Sequence, residues 1–171
     1  LPYNFGATEA LRFGLDRCDC QYVARQDADD VSLPGRLRFQ AEFLDNSPRT
    51  VALGTRVWIL DEAGMPIRRG ARMRWLPKAQ IAVGRSPMYH GAVMFRRDVA
   101  EEVGGYVSCF EQAQDLSLWL RMARAGRLKV LPYPLYGLRA HPGRVSVMYR
   151  ERQAAYAGLA MWAWVMGGSG R

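Results

Sequence analysis

The stretch Tyr22-Val23-Ala24-Arg25-Gln26-Asp27-Ala28-Asp29-Asp30 joins a short apolar segment to three carboxylates within four positions. The segment 21–26 reads as a buried strand. Open α/β sheets hold their ligands at strand ends. Carboxylates crowded there repel one another and invite a hard divalent cation, Mg²⁺ or Mn²⁺. Such a cation neutralises phosphate oxygens, so the expected ligand is phosphorylated and nucleotide-linked. Spacing alone also permits a plainer reading, an Asp-rich turn that caps the next helix. An EF-hand is excluded, because Val31 occupies the next ligand position and no loop glycine follows.

Outward from this stretch the pattern is α/β. A helix is expected over 8–17, with Leu11, Leu15 and Cys18 on one face. Asp30-Val31-Ser32-Leu33-Pro34 carries a cap candidate and a first-turn proline, so a helix should start there, with Leu33, Leu37, Ala41 and Leu44 as its apolar stripe. A β-branched and aromatic run over 50–60 predicts a strand that ends in the turn Asp61-Glu62-Ala63-Gly64. The basic segment 68–81 reads as irregular. A strand over 92–95 and a short helix over 98–103 follow, and a helix runs from Asp115 to Ala125. One or two strands are expected over 128–138, with Pro132 and Pro134 marking an edge. The longest helical pattern covers 146–166, with Tyr149, Tyr156, Leu159, Trp162 and Val165 as candidate buried positions. Alternating helices and strands predict one α/β unit built on a mixed, mostly parallel sheet flanked by helices.

The composition narrows the function classes. The chain has 171 residues, 49% hydrophobic and 23% charged, which suits a globular fold with a real core. A formal charge of +8 favours an anionic partner: nucleotide phosphates, nucleic acid or an acidic membrane surface. The basic residues are scattered (Arg68, Arg69, Arg72, Arg74, then Arg96, Arg97, then Arg150, Arg152), which disfavours a dedicated nucleic-acid module. Cys18, Cys20 and Cys109 fit neither a disulfide framework nor a zinc spacing. A reducing compartment is therefore expected: the cytoplasm, with its inner membrane face as a second station. The apolar stretch 154–166 is too short to span a bilayer. Trp162 and Trp164 are assigned to a buried face, with peripheral membrane association as the alternative. No nucleophilic Ser-His-Asp or Cys-His arrangement, Walker loop or G-x-G-x-x-G loop is present.

The order of motifs carries more. The D-A-D-D run, followed by Leu33-Pro34-Gly35-Arg36-Leu37, resembles the D-x-D segment and L-P-x-R-L helix opening of family 2 nucleotide-sugar glycosyltransferases of the GT-A fold. Asn4-Phe5-Gly6, Ala10-Leu11 and Gly14-Leu15 resemble that family's preceding helix. His90-Gly91-Ala92-Val93-Met94-Phe95-Arg96-Arg97 is similar to its H-P-S-x-M-F-R-R strand in the acceptor region. Gly104-Gly105-Tyr106, Phe110 and Gln114-Asp115-Leu116-Ser117-Leu118-Trp119-Leu120-Arg121 are similar to its G-G-Y…E-D-x-D-L-W-L-R block. Arg139-Ala140-His141-Pro142 through Ser146 resembles its R-x-H-P-x-x-x-S close. Together these cover about residues 4 to 146 in order.

This resemblance implies transfer of a sugar from a nucleotide-diphosphate sugar to an acceptor hydroxyl, metal-dependent and inverting. The acceptor, whether sugar, lipid-linked or protein, is left open, and no nucleic-acid partner is implied. Asp27 would contact the nucleotide ribose or the metal, Asp29 would ligate the metal, and Asp30 would orient the loop or cap the helix. His141 would be a metal or phosphate ligand. Asp115 would be the general base, a role compatible with a helix N-cap. Gln114, where the family usually has Glu or Asp, bears on acceptor positioning. His90 would face the acceptor, with Gly91 in place of the commoner proline. The family's opening strand and βα unit do not precede Leu1. The expectation is thus a GT-A domain lacking its first βα unit over 1–146, then a helix and tail over 147–171. Such a sheet would expose an edge near 21–26 and promote self-association. Two alternatives stand beside this reading: a non-catalytic remnant needing a partner segment, and a basic nucleic-acid-binding module.

Overall fold

The computed structural model describes residues 3–70, 81, 84–141 and 150–167. In chain order the elements are α1 (Ala7–Leu15), β1 (Tyr22–Ala24), β2 (Val31–Ser32), α2 (Arg36–Asp45), β3 (Thr50–Leu60), β4 (Pro66–Arg69), β5 (Met94–Arg96), α3 (Arg97–Glu102), α4 (Gln114–Ala125), β6 (Arg127–Arg139) and α5 (Arg150–Met166). A single 3₁₀ turn, His90–Ala92, leads into β5. Residues 71–80 and 142–149, with Arg72, Arg74, Tyr149 and the end of the R-x-H-P segment, lie outside the described residues.

β3 is the spine. It is buried or nearly so along its whole length, as a strand with neighbours on both sides and helices on its faces must be. The strand order is β1-β5-β3-β6-β2, with β4 added to β3 by a hairpin. The sheet is mixed, as expected, but its balance differs from the mostly parallel one predicted. Among the described strands only β3–β6 is parallel; β1–β5, β5–β3, β3–β4 and β6–β2 are antiparallel. Apolar runs locate strands without giving their direction. The short turn over 61–65 permits only antiparallel pairing, whereas the passage from β3 to β6 includes α3 and α4 and is long enough for a crossover.

Pro132 and Pro134 fall within one 13-residue strand, β6, at a break in register where Thr55 pairs with Leu131 and Arg56 with Pro134. Among the described residues β2 covers β6 only at Tyr136 and Gly137, so the prolines lie on a stretch with no second strand neighbour there.

One expected helix start and two expected faces are corrected. The helix signalled at Asp30 begins instead at Arg36, because Val31 and Ser32 pair with β6, and Gly35 supplies the left-handed N-cap at φ +81°. α2 buries Arg36, Gln40 and Leu44, while Leu37 is 54% exposed. Its inner face is apolar at Leu44, as the stripe predicts, but polar at Arg36 and Gln40, which an apolar stripe cannot reveal. On α5, Tyr156, Ala157, Ala160, Met161 and Trp164 pack on the main core, whereas Leu159, Trp162 and Val165 stay exposed. Small Ala157 and Ala160 let that face approach α4 closely. The core on this side of the sheet is built from Leu116, Leu118, Trp119, Leu120 and Met122 of α4 with Val51, Val93 and Phe95. Among the described residues, no helix is long and apolar enough to cross a membrane.

Candidate active site

β1 ends at Ala24, and the next residues carry the three carboxylates into the turn before β2. Each acid has its own partner. Arg25 Nη2 donates to Asp27 Oδ1 at 2.6 Å, and the Asp27 backbone N–H donates to the Tyr136 hydroxyl at 3.1 Å. The Arg139 backbone N–H donates to Asp30 Oδ1 at 2.8 Å. His141 Nε2 lies 2.8 Å from Asp29 Oδ2. Asp30 therefore orients the loop against β6 and does not cap α2. Burial pushes its carboxyl above the usual range, and the Arg139 bond works in the other direction. Burial also raises the Tyr136 phenol, whose ring lies under the Arg36 guanidinium at 4.8 Å.

The expected metal ligands Asp27, Asp29 and His141 do not form one cluster. Among the described residues no group of three His, Cys, Asp or Glu side chains stands close enough to hold a metal ion. Arg25 supplies the counter-charge to Asp27. Asp29 and His141, 112 positions apart in sequence, are brought into contact and remain partly open to solvent, at 48% and 32% side-chain exposure. The carboxylate suits Mn²⁺ or Mg²⁺ when substrate phosphates and water complete the shell, and the imidazole suits Mn²⁺ better than the harder Mg²⁺. The residues present fit such an ion.

Asp115 sits in the first turn of α4, half-buried; Ala113 holds the N-cap position, so the simple capping role is not its own. Trp119, one turn on, shares its helix face. Trp119 meets the His90 ring edge-to-face at 6.0 Å, and His90 Nε2 lies 2.8 Å from the Tyr106 hydroxyl. Burial pushes the Tyr106 phenol up; Arg25 opposes this, and the charges of Asp115 and Asp27 add to it. His90, which meets Trp119 one turn on from Asp115, is the chain neighbour of Gly91, against which the Asp27 carboxylate packs. Gln114 Oε1 is buried with no hydrogen-bond partner among the described residues. Gly91 is packed tight: a Cβ there would come 2.3 Å from the Tyr136 hydroxyl and 2.6 Å from Asp27 Oδ2. Sequence reasoning did not single out Arg25, Gln26, Gln40 or Tyr136 as site residues. The adjacency of Arg25 and Gln26 to the acids was an available signal.

The chain is 34% identical over 152 residues to the amylovoran biosynthesis glycosyltransferase AmsE of Erwinia amylovora, covering 85% of this chain and 55% of that protein. It is 34% identical over 120 residues to the putative glycosyltransferase EpsE of Bacillus subtilis, covering 68% and 42%. A UDP-Gal:alpha-D-GlcNAc-diphosphoundecaprenol beta-1,3-galactosyltransferase of Escherichia coli matches at 29% over 129 residues, covering 74% and 46%. The chain thus spans about half the length of the curated relatives it matches.

Two solved structures share the architecture. S. aureus TarS 1-349 in complex with UDP superposes with a TM-score of 0.63 at 16% identity, over 91% of this chain and 45% of that one. The mannosyltransferase PcManGT from Pyrobaculum calidifontis, in complex with GDP-Man and Mn²⁺, superposes with a TM-score of 0.59 at 17% identity, over 95% and 44%. At such identities they show the fold alone, and that fold is GT-A. The model of glycosyl transferase family 2 matches residues 1–104, which include the whole D-A-D-D loop and end before Asp115. This chain belongs to glycosyl transferase family 2.

Proposed function

We propose that the chain carries a glycosyl-transfer site that takes a nucleotide-diphosphate sugar as donor and an acceptor hydroxyl as nucleophile, with inversion at the anomeric carbon. The observation that carries the reading is the Asp29–His141 contact at 2.8 Å, which closes the D-A-D-D loop onto the end of β6. Asp29 and His141 would hold a Mg²⁺ or Mn²⁺ ion, which when bound stabilises the charge that builds on the leaving diphosphate. Asp27, fixed by Arg25 and Tyr136, faces the nucleotide ribose, whose hydroxyls its carboxylate accepts. Asp115 takes the proton from the acceptor hydroxyl as that oxygen bonds to the anomeric carbon and the bond to the diphosphate oxygen breaks. His90, oriented by Tyr106 and Trp119, and the Gln114 side-chain oxygen, which has no partner among the described residues, meet the acceptor.

The acceptor of the E. coli relative is lipid-linked by its name. An acceptor of that class would bring this chain to the inner face of a membrane. The outer edge of β1 has no partner within the described sheet and is the place for strand pairing with a second copy. Neither the remnant nor the nucleic-acid reading gains support from the fold or the relatives.

The test is turnover with a panel of UDP- and GDP-sugars and saccharide acceptors, with anomeric configuration read by NMR. Metal-dependent release of nucleoside diphosphate and an inverted product are expected. A retained anomer would contradict Asp115 as base. Release that is unaffected by chelation would contradict the metal site.

A further inference from the structure

We infer that Gln26 is a positioning residue that sets the shape of the D-A-D-D loop, with buried Arg36 as its anchor. This rests on the site proposed above. The Gln26 amide nitrogen donates to the Asp27 carbonyl at 2.9 Å and to the Asp30 carbonyl at 3.0 Å. Its oxygen accepts from Ser32 Oγ at 2.8 Å and from Arg36 Nη1 at 3.0 Å. A glutamine amide has two N–H groups and two lone pairs, and here all four are used. The side chain lies inside the loop as a strut between the two ends of the acidic run.

The anchor is fixed in turn. Arg36 is 1% exposed and donates from Nη1 to Ser32 Oγ at 2.8 Å and from Nη2 to the Arg25 carbonyl at 2.7 Å and the Val93 carbonyl at 3.3 Å. Its Nε donates to Gln40 Oε1 at 3.1 Å, and Gln40 Nε2 donates to the carbonyls of Leu53 and Ala92 at 2.6 and 3.1 Å. Every bond made by Arg36 and Gln40 is buried or partly buried, where an unmade partner is costly and a complete network is rigid. The network therefore fastens the loop to the end of β1, to β3 and to the turn before β5. Three like charges within four positions tend to spread the loop apart; the Gln26 strut opposes that from inside. Gln26 touches only backbone carbonyls of the acidic run, so it acts through the position of Asp29 and takes no part in the chemistry.

The experiment measures, by calorimetry with UDP or GDP present throughout, the Kd of the chain for Mn²⁺, with thermal unfolding of the same chains without metal or nucleotide. Gln26 is exposed, and Gln26→Ala leaves Arg36 its bonds to Ser32, Gln40 and two carbonyls, so Tm should stay within about 2 °C of the unaltered chain. The Kd for Mn²⁺ should rise roughly 10–100-fold, the effect typical of removing a partner that orients a metal ligand. Ser32→Ala, which removes one support of the strut, should give a smaller rise. Leu44→Ala, on the far end of α2, should lower Tm and leave Kd unchanged. Unchanged Mn²⁺ affinity in Gln26→Ala, or an equal loss in Leu44→Ala, would overturn this inference and leave the site reading standing. Failure of the unaltered chain to bind Mn²⁺ would overturn both.

Discussion

Asp115→Asn should lower kcat by about 10²–10⁴-fold, the usual contribution of a positioned general base. Asparagine keeps the size and the place in the first turn of α4, but it cannot take a proton at neutral pH. Asp115 lies outside the Asp29–His141 pair, so the affinity for metal and nucleoside diphosphate should be unaltered. The measurement is steady-state turnover of a donor the unaltered chain uses, beside calorimetric binding of the corresponding nucleoside diphosphate with Mn²⁺. Loss confined to kcat is the signature of a group that acts only in the transition state. A variant that keeps more than about a tenth of the turnover would remove Asp115 from the base role, since general-base losses start near a hundredfold. A variant that loses binding in equal measure would make it a ligand-holding residue.

The largest expected effect on stability is at Trp119. It is 0% exposed and lies edge-on to Phe95 at 5.9 Å and to His90 at 6.0 Å, so α4 and β5 meet across it. Truncating a buried Trp to Ala typically costs about 3–5 kcal/mol, from lost burial plus the cavity left behind. For a domain of this size that is a fall in Tm of roughly 6–20 °C. Trp119→Phe should cost far less, because the indole N–H has no hydrogen-bond partner among the described residues to lose. Thermal denaturation of the two variants checks this directly. A Tm for Trp119→Ala close to that of the unaltered chain would mean that α4 does not pack as described. That result would also unseat Asp115, which the same helix face carries.

Much of this was legible in the chain, and the parts that were not share a physical cause. The D-A-D-D run at a strand end, the strand over Thr50–Leu60 and the helix carrying Asp115 all announce themselves through period, charge and turn residues. Strand direction does not, because a pattern of apolar residues is the same read either way; hence the overestimate of parallel pairing. The polar part of the inner face of α2 was missed because Arg36 and Gln40 look like surface residues until their donors are matched to the carbonyls of Arg25, Val93, Leu53 and Ala92, which only the folded chain supplies. The same holds for Arg25, whose neutralising of Asp27 could not be separated from its sequence neighbourhood. On α5 the reading favoured large side chains, while the packing face is built on alanines flanked by Tyr156, Met161 and Trp164. The contact between Asp29 and His141 was expected only through family resemblance, since nothing local links positions so far apart.

The central claim is that Asp29 and His141 form the ligand-dependent part of a metal and nucleotide site. Thermal unfolding of the unaltered chain and of Asp29→Ala, each with and without Mn²⁺ plus UDP or GDP, tests it most directly. Ligand at a hundred times its Kd should stabilise the unaltered chain by roughly 2.7 kcal/mol by mass action. In Asp29→Ala that shift should vanish, while the ligand-free variant unfolds at no lower temperature, because removing one of three crowded carboxylates relieves repulsion. An equal shift in both chains, or a ligand-free Asp29→Ala destabilised by about 1 kcal/mol with no shift in the unaltered chain, would contradict it: Asp29 would then be a structural residue of the loop.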